Sequence, residues 1–150
     1  MHSYRFDAIV FDFDGTLIAS NEIKNWAFGE MYKEYGDKIV QQIITYNNEH
    51  EGVSRFIKFR YWHENFLDQP YTKEIGKYLS ESFSQLVFDA VVQVPFVEGA
   101  LEFLEKHYQH LPLFVASGTP EPELIKIIKH RSIIHFFQGI YGSPSTKTKI

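Results

Sequence analysis

The spacing of apolar residues along the chain changes early from that of a strand to that of a helix. An apolar run, Ala8–Phe11, predicts a buried strand of a parallel sheet within residues 6–12. From about Glu22 to Val92 the apolar residues recur every three or four positions, which predicts about four helices. The breaks between them are expected at Gly36-Asp37, Glu51-Gly52 and Gln69-Pro70. Amphipathic stripes are formed by Ile75, Leu79, Phe83, Leu86 and Ala90 and by Phe56, Phe59, His63 and Phe66.

Strand and helix patterns alternate in the last third of the chain. An extended linker, Val94-Pro95-Phe96, precedes a helix from about Gly99 to Tyr108. The apolar run Leu113–Ala116, a helix from about Pro120 to Lys129 and a short run Gly139–Tyr141 follow. This order predicts an α/β fold with a doubly wound parallel sheet.

The helical segment after the first strand is about 70 residues long, which is too long for an ordinary connection. We therefore expect residues 20–94 to form a small helical subdomain, and residues 1–19 and 95–150 to form the sheet domain. The alternative is a helical bundle with stray strands. Seven aromatic residues of the insert are expected in its core, with stacking on the substrate as the alternative: Trp26, Phe28, Tyr32, Phe56, Phe59, Tyr61 and Trp62.

Composition excludes several classes of function for this 150-residue chain. The net charge is −4 and no long basic run occurs, which argues against a nucleic-acid partner. There is no cysteine for a disulfide or a thiolate metal site. The histidines lack partners at a zinc-binding spacing. Neither a signal peptide nor a membrane span of about 18 apolar residues is expected, so we predict a cytoplasmic protein.

Two aspartates, Asp12 and Asp14, follow the first predicted strand and precede Gly15. Open α/β sheets bind their ligands at the carboxyl ends of strands. Two carboxylates there can bind a hard cation and supply a nucleophile and a proton donor. A calcium-binding loop starting at Asp12 is the alternative, but it would need ligands where Thr16 and Ile23 stand.

The sequence from Phe11 to Leu17, Phe-Asp-Phe-Asp-Gly-Thr-Leu, resembles the first motif of the haloacid dehalogenase (HAD) superfamily of phosphohydrolases. The resemblance implies a Rossmann-like sheet with an α-helical cap inserted after this motif. It implies that Asp12 is the nucleophile, forming an aspartyl phosphate, and that Asp14 is the general acid and base. Mg²⁺ would bind Asp12 and Asp14, through the carboxylate of the first and the backbone carbonyl of the second. Thr16 is expected to hold the turn and to lie at the phosphate site.

Two later segments resemble the second and third motifs of the same family. Ser117 follows the second apolar run and would bind a phosphate oxygen, with the Gly118 and Thr119 amides as further donors. Thr119 is also expected to cap the next helix, with Pro120 at its first position. In Gly-Ser-Pro-Ser-Thr-Lys, residues 142–147, Lys147 would neutralise the nucleophile and the phosphate. Lys149 is the competing choice for this role.

The helical insert contains Gly52-Val53-Ser54-Arg55, which is similar to a Gly-x-x-Arg sequence in the caps of β-phosphoglucomutase-like members. The similarity implies that Arg55 binds a distal anion of the substrate, a role that suits its guanidinium. Lys58 lies one helical turn further on the same face and is a second candidate. The alternative is a solvated basic face on a helix.

The acidic fourth motif of the family does not appear before Ile150. The resemblance therefore implies a sheet that is incomplete at its C-terminus, with two further strands expected beyond the first strand. The first strand is then expected to be an exposed edge that favours homodimerisation or aggregation. Mg²⁺ is expected to bind weakly.

The predicted function is Mg²⁺-dependent hydrolysis of a small phosphorylated metabolite, a phosphomonoester, through an aspartyl phosphate. One alternative is a sugar-phosphate mutase, which the Arg55 sequence suggests. The other is a non-catalytic remnant or binding module.

Overall fold

The computed structural model describes residues 3–145, and these fall into two compact units. One, which we call the core unit, contains the described residues up to Ser20 and from Val94 onward. The other, the helical unit, is Asn21–Gln93. The role of the helical unit as a cap stays a prediction.

The helical unit contains four α-helices: α1 at Asn21–Tyr32, α2 at Asp37–Glu49, α3 at Arg55–Trp62 and α4 at Lys73–Val91. A 3₁₀ turn at Lys33–Tyr35 follows α1, and a π-helical turn at His63–Leu67 extends α3. The three predicted breaks are confirmed. Helices α3 and α4 each begin at a side-chain cap. Ser54 accepts a hydrogen bond from the Phe56 amide at the start of α3, and Thr72 accepts one from the Ile75 amide at the start of α4.

Aromatic rings fill the interior of the helical unit. Phe28 stacks on Phe83 with ring centroids 4.3 Å apart, and its edge meets Trp62 at 5.0 Å. Tyr32 and Phe59 are also buried. The prediction was wrong for Trp26, Phe56 and Tyr61, which are between 36% and 52% exposed. Helix periodicity alone did not distinguish the two faces, because both carry large rings.

Of the amphipathic stripe predicted on α4, Phe83 is buried, and Ile75, Leu79 and Ala90 are half-buried. The buried residues of this helix are Gly76, Ser80, Phe83, Val87 and Val91. The buried face is thus rotated by one position, and Leu86 is 37% exposed. Gly76 lies on this buried face, and a Cβ there would lie 2.2 Å from the hydroxyl oxygen of Tyr71.

The core unit contains a parallel sheet of three strands in the described residues, in the order β1 (Ile9–Phe11), β2 (Leu113–Pro120), β3 (Gly139–Ser143). Helix α5 at Ala100–His107 precedes β2, and α6 at Glu121–His130 connects β2 to β3. A 3₁₀ turn lies at Ile134–Phe136. Buried apolar residues of β2 and α6, including Leu113, Val115, Leu124 and Ile128, form the core between sheet and helices. The predicted α/β class and parallel sheet are confirmed.

Strand β1 is shorter and less buried than predicted. Ala8 is exposed and lies outside the strand, and Val10 is 52% exposed. The physical reason is that β1 is an edge, paired only with β2 in the part of the chain that the structure describes. No helix within residues 3–145 is long and apolar enough to cross a membrane.

Strand β2 is longer than predicted, and its end is irregular. Its register with β3 shifts between Ala116 and Pro120, so the segment 117–119 is still part of the strand. Helix α6 therefore begins at Glu121, with Pro120 as its N-cap and without a side-chain cap. The predicted cap at Thr119 and the predicted first helical position at Pro120 were each wrong by one residue, because pairing with β3 extends the strand.

Candidate active site

Asp12 and Asp14 lie directly after β1, at the carboxyl end of the sheet. The register pairs Phe11 with Val115, so the chain beyond Asp12 runs beside the end of β2 that holds Ser117. Asp12 is half-buried, and its Oδ1 accepts a hydrogen bond of 2.9 Å from the Phe13 amide. This contact restricts the rotation of the carboxylate that the sequence identifies as the candidate nucleophile.

A tight turn carries the two aspartates away from the strand. The Phe13 carbonyl accepts hydrogen bonds from the amides of Leu17 at 2.9 Å and Ile18 at 3.3 Å, and the Gly15 amide donates to the Ile18 carbonyl at 2.8 Å. Gly15 has φ of +75°, a conformation that residues with a Cβ rarely adopt. The turn is anchored because Phe13, Leu17 and Ile18 are all buried.

The segment that returns to the core unit braces this turn. The Ala19 amide donates to the Pro95 carbonyl, and the Val97 amide donates to the Leu17 carbonyl, each at 3.0 Å. Ile18 also forms an antiparallel bridge with Phe96. The backbone of residues 17–19 is therefore held on two sides. Hydrogen bonds connect it to the turn that contains Asp14 and to the chain that follows the helical unit.

Asp14 is half-buried and contacts a residue that the sequence analysis missed. Its Oδ1 accepts a hydrogen bond of 2.6 Å from the hydroxyl of Ser20, which is fully buried. No spacing pattern marks Ser20, since the contact depends on a turn between Asp14 and Ser20 that only the folded chain shows. A polar residue six positions after a candidate acid is the only signal that the sequence offers.

The predicted phosphate-binding residues of β2 lie on the strand next to Asp12. Ser117 is 4% exposed, and its Oγ accepts a hydrogen bond of 3.1 Å from the Thr119 amide. That amide is thus directed at Ser117 rather than outward. Gly118 is half-buried between them, whereas Thr16 is exposed on the turn after β1. The roles of these residues toward phosphate stay predictions.

The carboxyl end of β3 lies against the start of α6. The Gly142 amide donates to Oε2 of Glu121 at 3.1 Å. A Cβ on Gly142 would lie 2.5 Å from both the Thr119 carbonyl oxygen and the Glu121 Cα, so only glycine fits there. Lys147 and its competitor Lys149 lie outside the described residues, and the role of Lys147 stays a prediction.

Arg55 and Lys58 are buried in the helical unit, at 4% and 6% exposure. The Arg55 guanidinium donates to Ser84 Oγ at 2.8 Å and lies 4.6 Å from the ring centroid of Phe83. The alternative of a solvated basic face is therefore wrong for these two side chains. Their predicted role in binding a substrate anion is untested and stays a prediction.

The donor atoms at the end of β1 fit a hard cation. Asp12 and Asp14 offer carboxylate and carbonyl oxygens, which Mg²⁺ prefers, and Mg²⁺ usually keeps several waters when few protein ligands are present. Within residues 3–145 there is no group of three or more histidine, cysteine or acidic residues that could hold a metal ion.

A family model described as haloacid dehalogenase-like hydrolase matches residues 9–149 of the chain. A search of curated proteins gave no match. Among solved structures, the chain is similar to one described as a predicted phosphoglycolate phosphatase from Haemophilus somnus, with a TM-score of 0.70 and 19% identity over 97% of this chain and 66% of that one.

Two further solved structures show the same fold. A β-phosphoglucomutase from Clostridium difficile has a TM-score of 0.73 and 17% identity over 94% of this chain and 63% of its own. A magnesium-bound HAD-hydrolase from Bacillus subtilis has a TM-score of 0.65 and 15% identity over 93% and 66%. The chain thus spans about two thirds or less of the length of these structures.

Proposed function

Since the chain belongs to the haloacid dehalogenase-like hydrolase family, we propose that it carries the nucleophile and the acid–base residue of a Mg²⁺-dependent phosphatase. The match confirms the family predicted from the sequence. One observation carries the proposal: Asp12 and Asp14 stand on a braced turn at the carboxyl end of β1, beside the Ser117 end of β2. The substrate we propose is a small phosphomonoester.

In the first half of the proposed reaction, a carboxylate oxygen of Asp12 attacks phosphorus. The new bond is Asp12 O–P, the bond that breaks joins phosphorus to the ester oxygen, and Asp14 gives a proton to the leaving alkoxide. In the second half, water attacks phosphorus, Asp14 takes the proton, and the Asp12 O–P bond breaks. Inorganic phosphate leaves, and both aspartates return to their starting states.

The hydrogen bonds at the site suit these roles. The Phe13 amide holds one oxygen of Asp12, which limits the carboxylate to few orientations before attack. The buried Ser117 hydroxyl is proposed to donate to a phosphate oxygen, together with the Gly118 amide. Thr16, which is exposed on the turn after β1, is proposed to contribute to the same phosphate site. Lys147 is proposed to neutralise charge on the nucleophile and the phosphate.

Mg²⁺ is proposed to bind the Asp12 carboxylate and the Asp14 backbone carbonyl. When bound, it supplies positive charge that offsets the charge of the phosphate. The magnesium-bound relative from Bacillus subtilis, which has the same fold, supports this choice of ion.

The helical unit is proposed to act as a cap that selects the substrate. Arg55 and Lys58 are buried cations of this unit, and their hydrogen bonds include those to Ser84 and Asn47 respectively. Cations that are already desolvated interact strongly with an incoming anion. We therefore propose that a second anionic group of the metabolite is recognised by Arg55, with Lys58 nearby.

A sugar-phosphate mutase is the second candidate function. The Gly52–Arg55 sequence and the fold shared with the β-phosphoglucomutase from Clostridium difficile favour it. A mutase would keep phosphate on an added sugar phosphate, whereas a phosphatase would release inorganic phosphate. A binding module without catalysis is distinguished from both by the absence of any turnover.

The experiment that tests the proposal is a p-nitrophenyl phosphate assay with and without Mg²⁺. We expect Asp12→Asn to lower hydrolysis by about 1000-fold or more, because the nucleophile is lost. The exposed aspartate of α4, Asp89, gives a matched control, and Asp89→Asn is expected to retain full activity. Activity that is independent of Asp12, or the same low rate in all three proteins, would overturn the proposal for this chain.

A further inference from the structure

A groove of about 580 Å³, which we call the α2 groove, runs along α2 within the helical unit. Its floor is aromatic. The ring of Tyr46 stacks on Tyr61 with centroids 4.4 Å apart, and Phe66 meets both rings edge-on, at 6.2 and 5.5 Å. Because these rings contact one another, they form a closed surface, and an occupant of the groove lies on them rather than between them.

One stripe of α2 forms the polar side of this groove. This α2 stripe consists of four exposed residues, Lys38, Gln42, Thr45 and Glu49. Residues that follow one another at intervals of four, three and four positions lie on one face of a helix. The spacing of the stripe is therefore the same from either end. It has a cation at one end, a carboxylate at the other, and an amide and a hydroxyl between them.

The two charges of the α2 stripe oppose the dipole of their own helix. Lys38 lies in the first turn of α2 and Glu49 is its last residue, whereas a helix favours acidic side chains at its N-terminus and basic ones at its C-terminus. The two residues are about 16 Å apart along the helix axis, at a rise of about 1.5 Å per residue, so they do not pair with each other. Both charges are complemented by a partner that carries an acid near Lys38 and a base near Glu49.

A second copy of the chain meets this requirement. When two copies of α2 lie antiparallel around a two-fold axis, Lys38 of each copy faces Glu49 of the other, and Gln42 faces Thr45. The negative end of each helix dipole then lies beside the other copy's Lys38, and the positive end beside its Glu49. The same stripe serves as both halves of the contact, as an isologous interface requires.

We propose that this chain forms a homodimer through the α2 groove, with the α2 stripe of each copy lying in the groove of the other. Two symmetric ion pairs between Lys38 and Glu49 set the antiparallel register, and the aromatic floor supplies the apolar contact. No residue of the stripe or of the floor belongs to the candidate active site, so the dimer goes beyond the proposed function and stands without it. It also uses a different surface from the edge at β1.

The first test reverses the charges of the α2 stripe in the full 150-residue chain. Every protein in it carries Val10→Lys, which opposes association through the edge of β1. Sedimentation velocity over a range of concentrations gives the Kd of dimerisation. We expect the chain with the original α2 to dimerise. Lys38→Glu or Glu49→Lys is expected to raise the Kd by about tenfold or more, because each converts two attractive pairs into two repulsive ones.

Two combinations restore opposite charges and so separate pairing from a general loss of structure. Lys38→Glu and Glu49→Lys in one chain are expected to return the Kd close to its original value. An equimolar mixture of the two single variants is expected to form heterodimers about tenfold tighter than either homodimer, since opposite charges meet at both ends. A chain that stays monomeric with the original α2, or a failure of either combination to recover association, would overturn the proposal.

A charge reversal outside the groove controls for net charge. Lys73 is exposed and begins α4, as Lys38 lies in the first turn of α2, so Lys73→Glu changes the net charge and the helix start in the same way. This variant is expected to leave the Kd unchanged. If it raised the Kd as much as Lys38→Glu does, the α2 stripe would not be the contact.

The second test measures proximity across the two-fold axis. The sequence has no cysteine, so an introduced thiol is unique in the chain. In the antiparallel register Thr45 lies near the axis, and a short bis-maleimide is expected to link two Thr45→Cys chains into a covalent dimer. Gln85, which is exposed on α4, gives the control, and Gln85→Cys is expected to stay monomeric. Equal cross-linking at both positions, or none at Thr45→Cys, would refute the dimer.

Discussion

The Lys58 ammonium donates a hydrogen bond of 2.7 Å to Oδ1 of Asn47, and both residues are buried in the helical unit. The amide of Asn47 in turn donates to Asn25 at 2.8 Å, and Asn25 donates to Asn48 at 2.8 Å. This polar chain connects α3, α2 and α1. A buried ammonium is costly unless acceptors surround it, so the Asn47 oxygen stabilises the charge that we propose for substrate binding.

Replacing Asn47 by leucine is expected to destabilise the protein by about 2–3 kcal/mol, because the buried Lys58 loses an acceptor. Urea unfolding followed by circular dichroism measures the change. The exposed α2 residue Gln42 serves as the control, and Gln42→Ala is expected to stay within about 0.5 kcal/mol.

A double variant tests whether the destabilisation by Asn47→Leu arises from the hydrogen bond between Lys58 and Asn47. With Lys58→Met already present, Asn47→Leu is expected to cost clearly less than it does alone, since no ammonium remains to be satisfied. Costs that simply add would show that the two residues are not coupled, and would contradict the stabilising role of Asn47 toward Lys58.

Gly142 is the second position where a small change is expected to have a large effect. The atoms that a Cβ would meet at 2.5–2.6 Å are backbone atoms of Thr119 and Glu121, which cannot move without shifting β2 or α6. We expect Gly142→Ala to destabilise the protein by about 2–4 kcal/mol, measured by urea unfolding.

The matched control for Gly142→Ala is Gly29→Ala in α1. A Cβ there would make ordinary contacts, at 3.5 Å to Val40 and 4.0 Å to Ile44. Because alanine favours a helix over glycine, this variant is expected to be neutral or more stable by up to about 1 kcal/mol. Equal losses in both variants would contradict the packing argument at Gly142.

Features encoded locally were predictable from the sequence. The apolar runs at Leu113–Ala116 and Gly139–Tyr141 are strands, and the breaks at Gly36 and Gly52 lie between helices as expected. The run at residues 8–11 was correctly predicted to hold a strand, but the prediction that this strand is buried was wrong. Burial of an edge strand depends on what pairs with it, and that is not a property of the strand's own residues.

Features set by tertiary contacts were not predictable. Thr119-Pro120 has the local signature of a helix start, yet β2 continues through it because Pro120 pairs with Ser143 of β3. The contact from Ser20 to Asp14 needs the turn at Gly15 to close. The burial of Arg55 needs Ser84, which lies on another helix.

Tyr32 gives the protein a predictable sensitivity to alkaline pH. Burial, followed by the nearby Tyr35 and Tyr71, raises the pKa of this side chain far above the usual tyrosine value of about 10. The contribution of the Tyr32 proton to the stability of the folded state is complete below about pH 10. It is lost as the pH rises toward the folded-state pKa, because the unfolded chain releases the Tyr32 proton while the folded chain keeps it.

We therefore expect the free energy of unfolding to fall above pH 10, with Tyr32 contributing a slope of up to about 1.4 kcal/mol per pH unit. Tyr32→Phe is expected to make the fall less steep, even though it also removes the hydrogen bond of 3.3 Å with His63. Tyr78 is 70% exposed, and Tyr78→Phe is the control that leaves the slope unchanged. Urea unfolding at several pH values tests this, and identical slopes in all three proteins would contradict it.

The exposed edge at β1 is expected to promote self-association. In the described sheet β1 pairs on one side only, and Val10 is 52% exposed there. An unpaired apolar edge offers backbone groups to a second copy of the chain. Light scattering is expected to show an average mass that rises with protein concentration. Val10→Lys is expected to reduce this average mass, because a lysine on an edge opposes pairing.

Ile57 of α3 is exposed to a similar degree, 59%, so Ile57→Lys controls for general surface hydrophobicity. If Ile57→Lys reduced association as much as Val10→Lys, or if the original chain stayed monomeric at high concentration, the edge would not be the contact.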